Sequence, residues 1–186
     1  MGKNQQKLQL AEALKDLQSG NAVKISATLK KIESIGDINV LPQLVELLRT
    51  ADQAITKQTL ELIADIQDQN ACEVLIDLIQ KEKDDTIRQR LLSTIWNSKL
   101  DFSAYLAEFV SLAMEGELLQ ALDCLTIIEN LTGPFEEHQL LESQLYLKEY
   151  LESTEPKEER KNTIISEIAY FIKEQNEGID ADLLLD

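Results

Sequence analysis

Residues that break helices are scarce in this sequence. It contains six glycines and three prolines among 186 residues, so it has few of the turn signals that join short β-strands. Leucine and isoleucine recur throughout the chain instead. This balance predicts an all-α protein, and the length suits one substantial domain or a short repeat array with a continuous core.

Long apolar runs are also absent. Charged residues interrupt every apolar stretch before it reaches the roughly 18 residues that a membrane-spanning helix requires. The first nine residues are polar and lack the apolar segment of a signal peptide. We therefore expect a soluble, cytoplasmic protein with no membrane partner. The sequence leaves the oligomeric state open, and a monomer is the default expectation.

Residue types that carry out catalysis or bind metals are few. The chain has one histidine, His138, and two cysteines, Cys72 and Cys124, which share no catalytic or metal-binding spacing. We expect both cysteines to be buried, reduced thiols and His138 to be exposed. Glycine-rich phosphate loops and calcium-binding loops are missing as well. The sequence thus predicts no catalytic residue, no metal and no cofactor, and a protein that is not an enzyme.

Basic residues are scarce in the second half of the chain. Residues 1–100 contain 13 Lys and Arg against 14 Asp and Glu, whereas residues 101–186 contain 5 against 20. The net charges are therefore −1 and −15. Such a field repels nucleic acids and attracts basic proteins or cations. The alternative is that the acidity serves solubility alone.

What the chain does contain is an apolar pattern that repeats every 31 residues over four segments. The positions that coincide in the first part of each segment are Leu29, Leu60, Leu91 and Leu122. Those that coincide in the second part of three segments are Leu44, Leu75 and Leu106. We expect all of these leucines except Leu122, whose segment is irregular, to be buried.

Each repeat reads as a pair of helices. Apolar residues follow the spacing of one helix face, as they do at Leu41, Leu44 and Leu48. Polar residues suited to N-capping precede the apolar runs at Asn21, Asp52 and Asp84. The repeating unit is therefore predicted to be a helical hairpin.

The segment Ile35-Gly36-Asp37 lies between the two helices of the first repeat, and residues 64–68 are its partial counterpart in the second. These residues resemble HEAT-like repeats, particularly the short type of phycobilisome-lyase-related and many other bacterial proteins. The third repeat departs from the pattern at residues 95–98. The resemblance implies a short α-solenoid of about four antiparallel helix pairs.

The predicted organisation is a single HEAT-like domain over residues 1–175, followed by an acidic tail over 176–186. A stop at Ser19-Gly20 ends an N-terminal capping helix. The segments of the domain are the capping helix 1–20, the helix pairs 21–50, 52–81, 84–113 and 116–152, and a last helix 156–175.

One polar pattern follows the same period. Glu46, Asp77 and Glu108 are 31 residues apart, and each is about 160 to 200° around its helix from the leucines of the core. We expect all three to face solvent. In HEAT-like stacks the second helices line the concave surface, so the resemblance implies an acidic ladder there. Ordinary surface acidity is the alternative.

Aromatic residues concentrate near the third repeat. Trp96 replaces Ser34 and Asp65, the polar residues at equivalent positions, and Tyr105 follows it closely. Trp and Tyr are common at interface hot spots, but we favour an indole that packs between neighbouring repeats as the interpretation of Trp96. Both residues are candidates for protein binding, and we expect Trp96 to be at least partly buried.

Three functions are compatible with this sequence. The first is a non-catalytic scaffold or adaptor that binds a basic protein segment. The second, implied by the lyase resemblance, is a lyase-like or chaperone-type protein that holds a small-molecule ligand or client in a groove. The third is a HEAT-like DNA glycosylase, which needs a basic face that the acidic ladder does not provide.

Overall fold

The computed structural model describes residues 3–35, 38–154 and 156–183, with the side chains of 3–7, 33–35 and 177–183 left out. These residues form ten α-helices and two 3₁₀ turns, and no strand occurs among them. The all-α prediction is confirmed. The helices are α1 (Lys3–Leu17), α2 (Ala22–Ile35), α3 (Leu41–Leu47), α4 (Gln53–Ala64), α5 (Ala71–Lys81), α6 (Asp85–Ile95), α7 (Leu106–Glu115), α8 (Leu118–Asn130), α9 (Glu137–Glu152) and α10 (Glu159–Leu183).

The chain divides into two compact units, Met1–Leu100 and Asp101–Asp186. This division differs from the single domain predicted over residues 1–175. It also passes through the predicted helix pair 84–113, because α6 belongs to the first unit and α7 to the second.

Helices of the first unit stack in two rows. The first helices of successive repeats, α2, α4 and α6, pack in that order, and the second helices α3 and α5 pack on each other. Contacts between α3 and α4 and between α5 and α6 join the rows. Like helices thus stack on like helices, which is the arrangement of a short HEAT-like solenoid.

The predicted N-caps begin the first helices of the repeats. Asp52 accepts hydrogen bonds from the backbone N–H groups of Ala54 and Ile55, and Asp84 does the same for Thr86 and Ile87. The Asn21 side chain accepts a 3.1 Å hydrogen bond from the N–H of Lys24. Each cap satisfies N–H groups that the first turn of a helix leaves without a partner, so these predictions are confirmed.

The N-terminal helix ends where the sequence predicts. After α1, Gly20 has a φ of +68°, a left-handed conformation that costs glycine little and other residues more. The chain then turns back, and α1 packs on α2 and α3. Leu17, on the inner side of α1, is 1% exposed.

Five of the six leucines predicted to be buried are so, namely Leu29, Leu44, Leu75, Leu91 and Leu106. Leu60 is the exception, because it is only half-buried. On α4 the buried positions are Ile55, Thr59 and Ile63, four residues apart. The Thr59 hydroxyl donates to the carbonyl of Ile55 at 2.8 Å, which satisfies it inside the helix. Thr59 therefore takes the inward position expected of Leu60.

The second unit is built around α7, which packs on both α8 and α9, while α10 packs on α8 and α9. Its buried face on α8 includes Ala121, Cys124 and Ile128. Leu122, which aligns with the leucines of earlier repeats, is 45% exposed. In the fourth repeat, the alignment of Leu122 with the buried leucines therefore does not predict its burial.

The predicted boundary between the last helix and the tail differs from the structure. Helix α10 continues to Leu183, so its backbone extends through most of the predicted tail 176–186. Residues 184–186 lie outside the described residues, as do Gly36 and Asp37 of the junction in the first repeat.

Candidate protein-binding surfaces

Glu46 and Asp77 occupy equivalent places on α3 and α5, which pack on each other in the first unit. Both side chains are exposed, as predicted. Their neighbours on the inner side of each helix, Leu44 and Leu75, are buried. The repeat register thus places two acids of the predicted ladder on the outside of the second-helix row.

Each of these two carboxylates forms an ion pair with a base three or four residues further along the chain. The Arg49 guanidinium lies 3.1 Å from Glu46, and the Lys81 ammonium lies 2.5 Å from Asp77. Hydrogen bonds with Glu46 and then with Glu82 raise the pKa of Arg49 above its usual value. The two acids of the ladder in the first unit are therefore partly neutralised by bases three or four residues further along the chain.

Glu108 does not face solvent fully as predicted, because it is half-buried. It lies on α7, and α9 packs against that helix. Burial raises the pKa of Glu108, and the nearby Glu142 carboxylate raises it further, whereas a backbone hydrogen bond and His138 lower it. The prediction is corrected for this residue: Glu108 is a partly desolvated carboxylate with a second carboxylate beside it.

A larger acidic surface surrounds Glu108 in the second unit. Glu108 and Glu115 lie two turns apart on α7, and Glu142 and Glu149 lie two turns apart on α9. The half-buried Tyr146 is close to all of them: burial raises the pKa of its hydroxyl first, and all four carboxylates raise it further. We call Glu108, Glu115, Glu142 and Glu149 the α7–α9 acidic row.

Sequence reasoning missed three members of this row. Glu142 and Glu149 belong to no 31-residue series, because α9 departs from the repeat register, and Glu115 on α7 was not part of the predicted ladder. Their spacing of seven residues along each helix was visible in the sequence. In a segment with 20 acidic residues, however, such a spacing does not stand out until the packing of α7 on α9 is known.

Trp96 immediately follows α6, where its backbone N–H donates to the carbonyl of Leu92 at 3.4 Å. Its side chain is 45% exposed, so the indole is neither deeply buried nor free of the protein surface. Part of the ring is accessible to another molecule. Packing of the indole between neighbouring repeats stays a prediction.

Tyr105 is half-buried in the second unit and belongs to an aromatic cluster. Its ring meets that of Phe102 edge to face, with centroids 6.3 Å apart. Phe102 in turn meets Phe109 in the same manner at 5.9 Å, and both phenylalanines are buried. Tyr105 therefore packs against Phe102, and part of its side chain stays at the surface.

The few residues with potential for chemistry are dispersed. Cys72 and Cys124 are buried thiols, as predicted, and His138 is exposed with its Nδ1 3.2 Å from Glu136. Within the described ranges, no three His, Cys, Asp or Glu side chains are grouped so as to hold a metal ion. Among the same residues, none of the helices is both long and apolar enough to cross a membrane.

The first unit contains a small cleft between α2 and α4. It has a volume of about 250 Å³ and is lined by Leu29, Lys30, Gln58, Glu61, Leu62 and Asp65. The Gln58 Oε1 atom is buried and accepts no hydrogen bond from the described part of the chain. Apolar and charged side chains share the lining.

Comparison with known proteins identifies the repeat. Residues 9–96 match the family described as HEAT repeats. No curated protein and no solved structure matches the chain. The matched segment carries the stacked helix pairs of the first unit, and this segment is therefore a HEAT-like repeat array. HEAT repeats are generally protein-interaction scaffolds and are typically not enzymes.

Proposed function

We propose that this protein is a non-catalytic scaffold or adaptor that binds a basic segment of another protein on an acidic surface. The observation that carries the proposal is the charge of the second unit, which has 20 Asp and Glu against 5 Lys and Arg from residue 101 onward. This boundary coincides with the division between the two compact units. A whole folded unit thus carries the acidity, which favours attraction of a cationic partner.

Five residues are proposed as contacts. Glu46, Asp77 and Glu108 would attract basic side chains, and Glu108 has no ion pair among the described residues, whereas Glu46 and Asp77 have one each. Trp96 would supply an apolar anchor through its exposed part, and Tyr105 would contribute through the edge that its aromatic cluster leaves accessible. We expect the protein to act in the cytoplasm as a monomer.

Affinity purification from the native host at two salt concentrations tests this function. The Debye length falls from about 10 Å at 0.1 M to about 3 Å at 1 M, so an electrostatic partner should be retained at the lower concentration and released at the higher. The retained protein should bind the purified chain directly, through a segment rich in Lys and Arg. A partner that is acidic, or that is held equally at both concentrations, would contradict the proposal.

The cleft between α2 and α4 favours a second candidate, a lyase-like or chaperone-type protein that holds a small-molecule ligand or client. Gln58 lies in the lining of the cleft, and its buried Oε1 accepts no hydrogen bond from the described residues. The cleft volume of about 250 Å³ is below the roughly 300 Å³ at which most ligand pockets begin, so we place this function second. Mass spectrometry of small molecules released from the natively purified protein tests it, with Gln58→Leu as the variant expected to lose them.

A further inference from the structure

Helix α9 presents an apolar stripe that no described part of the second unit covers. Leu141 and Leu145, one turn apart, are 55% and 53% exposed. On the inner side of the same helix, Leu140 and Leu147 are buried. A single exposed leucine is ordinary, but two on adjacent turns of one helix form a continuous apolar strip.

This stripe borders the α7–α9 acidic row. Glu142 follows Leu141 directly on α9, and Glu149 is one turn beyond Leu145, so carboxylates flank the stripe along its length. Glu108 and Glu115 continue the negative charge onto α7, which packs on α9. An apolar strip with an acidic margin on one side is complementary to a helix that has an apolar strip and a basic margin.

The basic side chains nearby are engaged elsewhere. Lys161 donates to the carbonyls of Met114 and Gly116 at the end of α7, at 2.6 and 2.5 Å. Lys148 pairs with Glu152, and Lys157 donates to the carbonyl of Leu151. No ion pair joins any carboxylate of the α7–α9 acidic row to a base within the described residues, so the row is available to an external cation.

We propose that the apolar stripe of Leu141 and Leu145 and the α7–α9 acidic row together dock a basic amphipathic helix of a partner protein. The partner's leucine-like side chains contact Leu141 and Leu145, and its Lys or Arg side chains pair with Glu142, Glu149 and Glu108. This inference rests on the proposed function and specifies its surface. A second copy of the chain is disfavoured as occupant, because it would bring the same carboxylates against this row.

The partly desolvated state of Glu108 supports this assignment. A carboxylate that is half-buried beside Glu142 is in an unfavourable environment while it is ionised, which is the reason that its pKa is raised. A guanidinium or ammonium group placed between the two would relieve both the repulsion and the lost solvation. Binding should therefore release protons at a pH near that raised pKa.

The experiment uses the full chain and three synthetic peptides of about 18 residues, or roughly five helical turns. The first has Leu at i and i+4 positions with Lys on one flank, the second is a scramble of the same composition, and the third is an unstructured peptide of alternating Lys and Ser. Fluorescence anisotropy at low salt measures each dissociation constant. The amphipathic peptide should bind at least about tenfold more tightly than the scramble.

Two pairs of variants locate the surface. Leu141→Ser with Leu145→Ser, and Glu142→Lys with Glu149→Lys, should each weaken binding of the amphipathic peptide about tenfold or more. The matched controls are Leu119→Ser with Leu122→Ser on α8 and Glu167→Lys with Glu174→Lys on α10, all at exposed positions. The controls should stay within about twofold of the wild type. Circular dichroism establishes that every variant keeps its helices.

The outcomes separate this inference from the function on which it rests. If the charge reversals on α9 and α10 weaken peptide binding equally, the peptide responds only to the net charge of the protein, and the proposed docking surface is wrong. Binding of the Lys-Ser peptide alone would overturn the docked helix but keep the acidic scaffold. If a dimer of the chain is lost in the Leu141→Ser, Leu145→Ser variant, the occupant is a second copy. Failure of all three peptides to bind would contradict the inference and the proposed function together.

Discussion

The guanidinium of Arg49 donates a 2.7 Å hydrogen bond to the carboxylate of Glu82, which joins the turn after α3 to the residue that follows α5. The Glu82 side chain is only 6% exposed, whereas that of Arg49 is 41% exposed. The second Glu82 oxygen accepts hydrogen bonds of 2.8 Å from the N–H groups of Lys83 and Asp84. One buried carboxylate thus joins neighbouring repeats and positions the residue that caps α6.

Replacing Glu82 with Ala should destabilise the first unit by about 1 to 3 kcal/mol, because two partly buried backbone hydrogen bonds and the ion pair with Arg49 lose their acceptor. Urea denaturation measures this change. The matched control is Glu61→Ala, whose partner Lys57 lies 3.7 Å away with both side chains exposed. That variant should differ from the wild type by less than about 0.5 kcal/mol. Equal losses at the two sites would contradict a structural role for Glu82.

A second prediction concerns the repeat core at Leu75, which is 1% exposed on α5. Leu75→Ala should cost about 2 to 5 kcal/mol, since it removes buried apolar contacts and leaves a cavity. Leu141→Ala, at a 55% exposed position, is the control and should cost far less. A loss below about 1 kcal/mol for Leu75→Ala in denaturant unfolding would mean that this position is not a core site.

The fold was largely predictable because two independent features of the repeat indicate the same helices. Apolar spacing sets the helices, and the N-caps Asp52 and Asp84 mark their beginnings independently. Leu60 shows the limit of this reasoning. Its apolar character favours burial, but Thr59 satisfies its own hydroxyl within α4 and so tolerates the inward position. A one-residue choice of this kind depends on packing that the sequence pattern does not contain.

The candidate site was less predictable, because it depends on how helices outside the repeat register pack. Glu108 was identified by its period, yet its half-buried state follows from α9, which the period does not describe. Glu142 and Glu149 become part of the candidate surface only because they lie close to Glu108. The sequence predicts that the second half of the chain is acidic, but the packing of α9 on α7 determines which carboxylates form a surface.

The raised pKa of Glu108 predicts a pH-dependent effect on stability. Burial, and then repulsion from Glu142, raise the pKa in the folded protein above its ordinary 4.5. The cost of ionising Glu108 is absent below pH 4.5, where folded and unfolded states are both protonated, and is complete above the raised pKa. Glu108→Gln should therefore be more stable than the wild type at neutral pH, by less than about 1 kcal/mol because the site is half-exposed.

This difference should disappear as the pH falls below 4.5. Urea denaturation of both proteins across the pH range measures it, and Glu167→Gln, at an exposed position on α10, sets the size of an ordinary surface effect. A Glu108→Gln variant that is less stable at neutral pH would show that the carboxylate is stabilised by a favourable contact instead.

Trp96 is the only tryptophan, so its fluorescence reports on one site. Because the indole is 45% exposed, we expect emission at shorter wavelength than that of the unfolded chain and partial quenching by acrylamide. The protein in concentrated guanidinium chloride provides the fully exposed reference. Native emission identical to that reference would contradict partial burial. Trp96 would then be the first residue to mutate in a search for an interface.

The last prediction concerns Glu46, Asp77 and Glu108 as contacts for a basic partner. The association rate should fall steeply with salt, because attraction beyond the Debye length is screened. Changing all three residues to Lys should slow association further and leave the fold intact. Asp77→Lys places a base one turn from Lys81 on α5, and Glu46→Lys places one three residues before Arg49, which follows α3. Such like-charged neighbours cost only about 0.2 to 0.5 kcal/mol each.

Reversing one charge at a time distinguishes the contributions of the two units to the association rate. Glu46 and Asp77 already pair with Arg49 and Lys81, whereas Glu108 and Glu142 are two carboxylates close together without an ion pair among the described residues. Glu108→Lys should therefore reduce the association rate more than Glu46→Lys or Asp77→Lys does. Stopped-flow measurements at several salt concentrations provide the rates, with circular dichroism as the check on folding. If the affinity of a directly binding partner is indifferent to salt and to reversal in either unit, the acidity serves solubility alone.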